Sequence, residues 1–383
     1  MDLRSMFLVI HDPRRAASTK YSLESILFIA MAAVIGGADG WNEVEEFGRM
    51  KEPFFRSQLP ELEGIPSHDT FNRVFSLIAP DVFEAAFRGW MSEICGRVEG
   101  VVAIDGKELR GARSRRGDGS FEPLRMVSAW ATENGVSLGQ VRVAEKSNEI
   151  TAIPALVRAL ELEGCLVTID AMGCQREVTE AVVGRRGDFL ICLKGNQGRL
   201  HRTVSEWFDG ERGFCAPGGC ESADRLQSCT TLEEGHGRRE KRVCTVFSAP
   251  LLPKMLGWEN VNSVARIRRE TTCLASGRRT EETRYYISSL GLQPERIAEA
   301  ARAHWNIENR LHWQLDVSFG EDGDRKRGNT AQNFALIRKF ALFALNRTKK
   351  KASVKRKRKM AGWDNGVLLE VMNGLLEVME NTA

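Results

Sequence analysis

Val101-Val102-Ala103-Ile104-Asp105-Gly106-Lys107 is an apolar run that ends on a carboxylate. Leu166-Val167-Thr168-Ile169-Asp170-Ala171-Met172 repeats the pattern. A short apolar run of this kind reads as a buried strand. A carboxylate at its end is costly to bury unless something pairs with it. A third acid, Glu308, lies in Arg302-Ala303-His304-Trp305-Asn306-Ile307-Glu308-Asn309. Three carboxylates gathered from distant parts of a chain repel unless a divalent cation sits among them, so the set reads as a magnesium site for phosphoryl chemistry. Taken singly, Asp105 and Asp170 fit equally the habit of Asp closing a turn after a strand. Asp316, Glu321 and Asp322 are neighbouring acids that compete with Glu308 for the third place.

Around these strands the order is β-β-β-α-β-α-β. After the strand at 101–105 comes a charged Gly/Arg/Ser loop over 110–120. Strands follow near 124–132 and 136–144, joined across Glu133-Asn134-Gly135, an Asn-Gly hairpin signal. A helix is expected from about Glu149 to Leu162, interrupted near Pro154. Next come a strand at 165–170, a helix from about Gln175 to Val183, and a strand at 188–193 ending in Lys194-Gly195-Asn196-Gln197. Three antiparallel strands followed by strands reached through helices predict an α/β fold with one mixed sheet. The first and fourth strands then lie side by side, and Asp105 and Asp170 meet at one edge. Residues 198–285 break the rhythm and read as a mostly-β insertion. A long helix from about Pro294 to Leu315 carries Glu308, with His312 and Asp316 on the same face. Another helix follows from about Thr330 to Leu345.

The first hundred residues read as helices: one capped by Ser22 and stopped at Gly36-Gly37, one from Trp41 to Met50, one capped by Ser67, one opened by Pro80. Pro66-Ser67-His68-Asp69-Thr70-Phe71-Asn72-Arg73 has the make-up of a helix-turn-helix second helix, although plain packing explains it as well.

With 383 residues, 42% hydrophobic and 28% charged, the chain is an ordinary globular one, long enough for two or three domains. Its net charge of +4 is unevenly spread. Residues 1–100 hold ten Lys+Arg against fifteen Asp+Glu, whereas 347–359 hold nine Lys+Arg and no acid. Like charges at that density stay disordered without a polyanion, so Lys355, Arg356, Lys357, Arg358 and Lys359 are expected to contact DNA phosphates. Lys107 and Lys194 follow core strands near the carboxylate edge and are candidates for the same role. Asn196 and Gln197 either bond DNA or close a turn. Trp305 and Trp313 read as core in preference to base-stacking platforms, and His312 as a satisfied core histidine. The nine cysteines are scattered, with no Cys-x-x-Cys pair, which fits reduced thiols. Cys215, Cys220 and Cys229 lack zinc spacing. The longest apolar stretch, Ile26 to Ile35, is too short to cross a bilayer, so no membrane partner is expected.

Several segments taken together resemble one family. They are Ala103-Ile104-Asp105-Gly106-Lys107, Asn148-Glu149-Ile150-Thr151-Ala152-Ile153-Pro154, Thr168-Ile169-Asp170-Ala171-Met172-Gly173-Cys174-Gln175, Leu193-Lys194-Gly195-Asn196-Gln197, His236-Gly237-Arg238, Tyr286-Ile287-Ser288-Ser289-Leu290, His304-Trp305-Asn306-Ile307-Glu308-Asn309 and Leu311-His312-Trp313-Gln314-Leu315-Asp316-Val317. They resemble the DDE transposases of bacterial insertion sequences, in the H-repeat-associated group. The resemblance implies a ribonuclease H-like core over 99–346, with the insertion at about 198–285. A helical N-terminal domain over 1–98 would precede it, and a basic segment with a C-terminal helix over 347–383 would follow. It implies Asp105, Asp170 and Glu308 as catalytic residues and metal ligands, and Mg²⁺ as the cofactor, with Mn²⁺ as a substitute. The implied activity is cutting at element ends and joining of the freed 3′-hydroxyl to target DNA. Double-stranded DNA is then the partner, a homodimer on DNA the working form, and the bacterial nucleoid in the cytoplasm the location. Related transposases carry Tyr-x2-Arg-x3-Glu-x6-Lys around the third carboxylate. Here those flanking places hold Ala301, His304 and Leu315, so only the Glu survives and His304 stands as the candidate DNA contact. The rival readings are a catalytically inactive or repurposed DNA-binding relative and a ribonuclease H-like nuclease that cuts without strand transfer.

Overall fold

The structure, a computed structural model, describes residues 7, 9–15, 19–144, 149–210, 225–235, 237–250 and 252–374. Its first elements are α1 (Leu23–Ile35), α2 (Trp41–Met50), α3 (Glu52–Gln58), α4 (His68–Leu77) and α5 (Pro80–Cys95). Ser22 Oγ accepts the Ser25 amide hydrogen and starts α1, and Ser67 Oγ does the same for Thr70 at α4. Every residue of α1 except Glu24 is buried, as expected of a helix that is apolar all round. It stops at Gly36, where a Cβ would lie 2.4 Å from the Phe47 ring.

The sheet begins with β1 (Gly100–Arg115), β2 (Phe121–Ala131) and β3 (Val136–Arg142). Helix α6 (Glu149–Arg158) crosses to β4 (Cys165–Ile169), and α7 (Arg176–Gly184) crosses to β5 (Asp188–Leu193). β1 is three times the length read from the sequence. The charged stretch 110–115, expected as loop, continues the strand after a register shift between Leu109 and Arg113 and pairs with β2 as far as Arg115↔Phe121. Ala112 and Ser114 are buried while Arg113 and Arg115 are exposed, so a two-residue alternation was present beneath the charge. β1 runs parallel to β4, with Ile104 opposite Ile169. Asp105 and Asp170 therefore leave two neighbouring strands at the same level.

After α8 (Gly198–Asp209) come β6 (Leu226–Gly235), β7 (Arg238–Ser248), α9 (Leu252–Leu256), β8 (Ser263–Cys273) and β9 (Arg279–Ser288). β9 pairs antiparallel with β5, Leu190 opposite Ser288. The strands of the expected insertion thus extend the central sheet, which has nine strands in the order β3-β2-β1-β4-β5-β9-β8-β7-β6. Cys215, Cys220 and His236 lie outside the described residues.

The chain then forms α10 (Pro294–Ala303), a π-helical turn (Ile307–His312), α11 (Trp313–Phe319), α12 (Asn329–Arg347), α13 (Val354–Trp363) and α14 (Asn365–Asn373). One long helix over 294–315 was expected; the chain instead changes pitch twice within it. Helix α12 is buried from Thr330 to Leu345 and lies between the sheet and the N-terminal helices. Lys339 on α12 donates to Ser128 Oγ on β2 at 2.8 Å and to Gln140 on β3. On its other side Trp41 stacks on Phe75, centroids 4.7 Å apart, meets Phe334 edge-on, and donates to Thr330 Oγ1. Asn333 Nδ2 donates to the Phe75 and Ile78 carbonyls at 2.8 and 3.0 Å.

The basic run is also ordered. Ser353 caps α13, and Lys357 and Arg358 are buried, 8% and 4% exposed. Lys357 Nζ donates to Leu345 O, and Arg358 donates to Val34 O, Ala38 O, Ser318 O and Asp39 Oδ1. Carbonyl oxygens supply the compensation that a polyanion was expected to supply. These two residues are therefore not surface phosphate contacts; Lys355, Arg356 and Lys359 remain exposed.

Candidate active site

Asp105, Asp170 and Glu308 line one cavity of about 290 Å³. Thr168, Lys194, Arg284, Tyr286, His304 and Trp305 also face it. Asp105 comes from β1, and Asp170 from the first residue past β4. Glu308 comes from the π-helical turn, laid across the sheet by α10. One oxygen each of Asp105 and Glu308 and one ring nitrogen of His312 lie within 4.8 Å of one another. The Asp170 carboxylate lines the same cavity outside that tight group. Its Oδ1 accepts the Met172 amide hydrogen at 2.9 Å and so holds the turn after β4.

His312 is the residue the sequence undervalued. It is 4% exposed, as a core histidine would be, yet its Nδ1 lies 3.2 Å from Glu308 Oε2 and 3.5 Å from Asp105 Oδ2. Residues 308 and 312 are four apart on the helical turn, which stacks their side chains on one face. Short π-helical turns recur at functional sites. The hydrogen bond from His312 holds the Glu308 carboxyl below its usual range. Asp105 goes the other way. Burial, aided by repulsion from Asp170 and Glu149 and opposed by His312, raises it to about 6. Burial likewise lowers His304, whose Nδ1 lies 3.1 Å from Thr168 Oγ1. Burial and like-charge neighbours are the kind of setting that shifts carboxyl groups at functional sites.

The other expected contacts divide. Lys194 is exposed at the cavity rim. Lys107 is largely buried and donates to Asp316 and, at 2.9 Å, to Glu321 Oε2, so it is committed within the protein rather than offered to phosphate. Asp316 and Glu321 are thereby ion-paired to Lys107, and neither lines the cavity that holds Glu308. Asn196 Nδ2 donates to Ala171 O at 2.6 Å and Gln197 Nε2 to Cys174 O at 2.8 Å. Both amides close the loop that follows Asp170. Trp305 and Trp313, expected in the core, are 48% and 53% exposed. The breaks around the π turn rotate them outward. Arg284 on β9 lies over the Trp305 ring, 5.1 Å from its centroid, and reaches the cavity. The sequence marked it only by its place just before the Tyr286–Leu290 segment. It brings a guanidinium to the cavity that His304 also lines.

Among the described residues no helix is long and apolar enough to cross a membrane.

The DDE_Tnp_1-associated family matches residues 4–91, and the transposase DDE domain family matches 96–346. A putative transposase YncI of Escherichia coli O157:H7 is 38% identical, covering 97% of this chain and 94% of that protein. The H repeat-associated putative transposase YhhI of Escherichia coli K12 is 36% identical, covering 96% of each. The cryo-EM structure of a piggyBac transposase synaptic complex with hairpin DNA aligns with a TM-score of 0.42 at 8% identity, over all of this chain and 80% of that one. The family match across 96–346 and relatives 36–38% identical over nearly the whole chain make this chain a member of the DDE transposase family, beside the H-repeat-associated transposases.

Proposed function

We propose that this chain cuts DNA at the ends of an insertion sequence and joins the freed 3′-hydroxyl to target DNA, using Asp105, Asp170 and Glu308 as its catalytic and metal-holding residues. The observation that carries the reading is the convergence of these three acids on one cavity from positions up to two hundred residues apart. The donor set is carboxylate oxygen with one imidazole beside it, which suits Mg²⁺ and also Mn²⁺. Bound there, divalent ions would activate the attacking oxygen and neutralise charge on the leaving 3′-oxygen.

The protein's own part is positioning. His312 Nδ1 fixes Glu308, which is otherwise half exposed. Asn196 and Gln197 hold the loop behind Asp170. Lys194 and Arg284 offer cations at the cavity to the DNA backbone, as do Lys355, Arg356 and Lys359 further off. Synapsis of two element ends calls for at least a homodimer on DNA.

The test is an end-joining assay with purified protein, Mg²⁺, DNA carrying the terminal repeats and a plasmid target. Joined products are expected, and Asp105→Asn, Asp170→Asn and Glu308→Gln should each remove them while leaving DNA binding intact. Cleavage without joining would make the protein a nuclease. DNA retardation at low salt with neither reaction would make it a DNA-binding relative.

A further inference from the structure

Lys107 follows Asp105 by two residues on β1. Residues two apart on a strand point to the same face, so Lys107 and Asp105 both face the element that carries Glu308. That element presents Glu308, His312 and Asp316 at intervals of four, which stacks them along one side of a helix. The two rows meet as a ladder. On the first rung, His312 Nδ1 lies 3.5 Å from Asp105 Oδ2 and 3.2 Å from Glu308 Oε2. On the second, Lys107 Nζ donates to the His312 carbonyl at 3.5 Å and to Asp316 Oδ1. It also donates to Glu321 Oε2 at 2.9 Å, in the turn after α11. An ammonium has three hydrogens to donate, and all three are taken.

The second rung is shielded from water: the Lys107 side chain is 12% exposed and that of Glu321 2%. Charged hydrogen bonds are strongest in such a place. The contact between Glu308 and His312 lies within one turn and cannot by itself fix that turn to β1. The bonds from Lys107 cross from β1 to the turn and to α11, and so can.

Resting on the proposed metal centre, we infer that Lys107 is a positioning residue: its bonds to His312 O, Asp316 and Glu321 set the spacing of Glu308 from Asp105, and with it the fit of the divalent ions. It acts through β1 and the π turn and touches neither the ions nor the DNA.

Charge and position predict opposite signs. As a mere positive charge near the ions, Lys107 would repel them, and its loss would tighten their binding. As a clamp, its loss lets Glu308 drift from Asp105 and weakens binding. The experiment is a Mn²⁺ titration of the full chain without DNA, read by electron paramagnetic resonance of the free ion, each variant being held below its own melting temperature. Lys107→Met should weaken Mn²⁺ binding about tenfold or more, the size expected when a metal site loses an outer support. Asp316→Ala leaves Lys107 paired with Glu321 and should weaken binding by a similar factor. The double variant should bind no worse than the weaker single one, since both remove the same link. Asp105→Asn is the control for the centre itself. If Asp105→Asn loses Mn²⁺ while Lys107→Met binds it as tightly as the parent or more tightly, the inference fails alone. Should Lys107→Met not fold, unchanged binding by Asp316→Ala overturns it in the same way. If Asp105→Asn also binds like the parent, the metal centre fails and the inference with it.

Discussion

Asp105 carries a consequence for stability that is independent of any assay for transposition. Its folded-state carboxyl sits near 6, raised first by burial, against an ordinary value of 3.8. Between those values the folded chain keeps a proton that the unfolded chain has lost, so stability falls as pH rises through this window. About two pH units at about 1.4 kcal/mol each make the effect on the order of 3 kcal/mol, complete above pH 6. Denaturant midpoints measured in chelator at pH 4 and pH 7 should show the loss, and Asp105→Asn should flatten the difference. An equal slope in that variant would mean that Asp105 is not buried as described. Mg²⁺ at pH 7 should restore part of the loss, because a cation replaces the proton. His312 acts on the other acid. His312→Ala frees Glu308 and should reduce metal affinity roughly 10- to 100-fold, as removal of an outer support does. Unchanged affinity would make His312 a packing residue.

Elements differed in how far their sequences exposed them. The apolar strand segments before Asp105 and Asp170 were legible because apolar runs and parallel pairing leave little choice, whereas the continuation of β1 to Arg115 was hidden by its charged residues. The caps at Ser22 and Ser67 were legible because a hydroxyl before an apolar run has one common use. The π turn was not, since nothing in Trp305–Trp313 distinguishes a wide turn from an α-helical one; Trp305 and Trp313 were misplaced for that reason. Likewise the order of α13 depends on carbonyls at Val34, Ala38 and Ser318, which only the tertiary fold brings near Arg358. Two opposite outcomes follow within this one helix. Arg358→Met leaves those groups and Asp39 without their donor and should destabilise the protein by about 3 kcal/mol in chemical denaturation. Changing Lys355, Arg356 and Lys359 to Gln should leave stability within about 0.5 kcal/mol. The same triple change should lower the slope of log affinity against log salt by up to about 0.9 for each lost phosphate contact. An unaltered slope would show that this face of α13 does not meet DNA.

Across the whole molecule, α12 ties the parts together. It grips the sheet through Lys339 and the N-terminal helices through Phe334, Asn333 and Thr330. The N-terminal helices and the sheet are thus packed on two sides of this one helix. None of that packing was readable from composition, which showed only an acidic front and a basic rear. The carboxylate edge is simpler: three acids, one from β1, one just past β4 and one from a π turn, open on one cavity. Crystals of the protein soaked in Mn²⁺ and measured for anomalous scattering test this most directly. The account predicts anomalous peaks bonded to Asp105 together with Asp170 or Glu308. Peaks elsewhere, or none at these carboxylates with Mn²⁺ in excess near neutral pH, would contradict it.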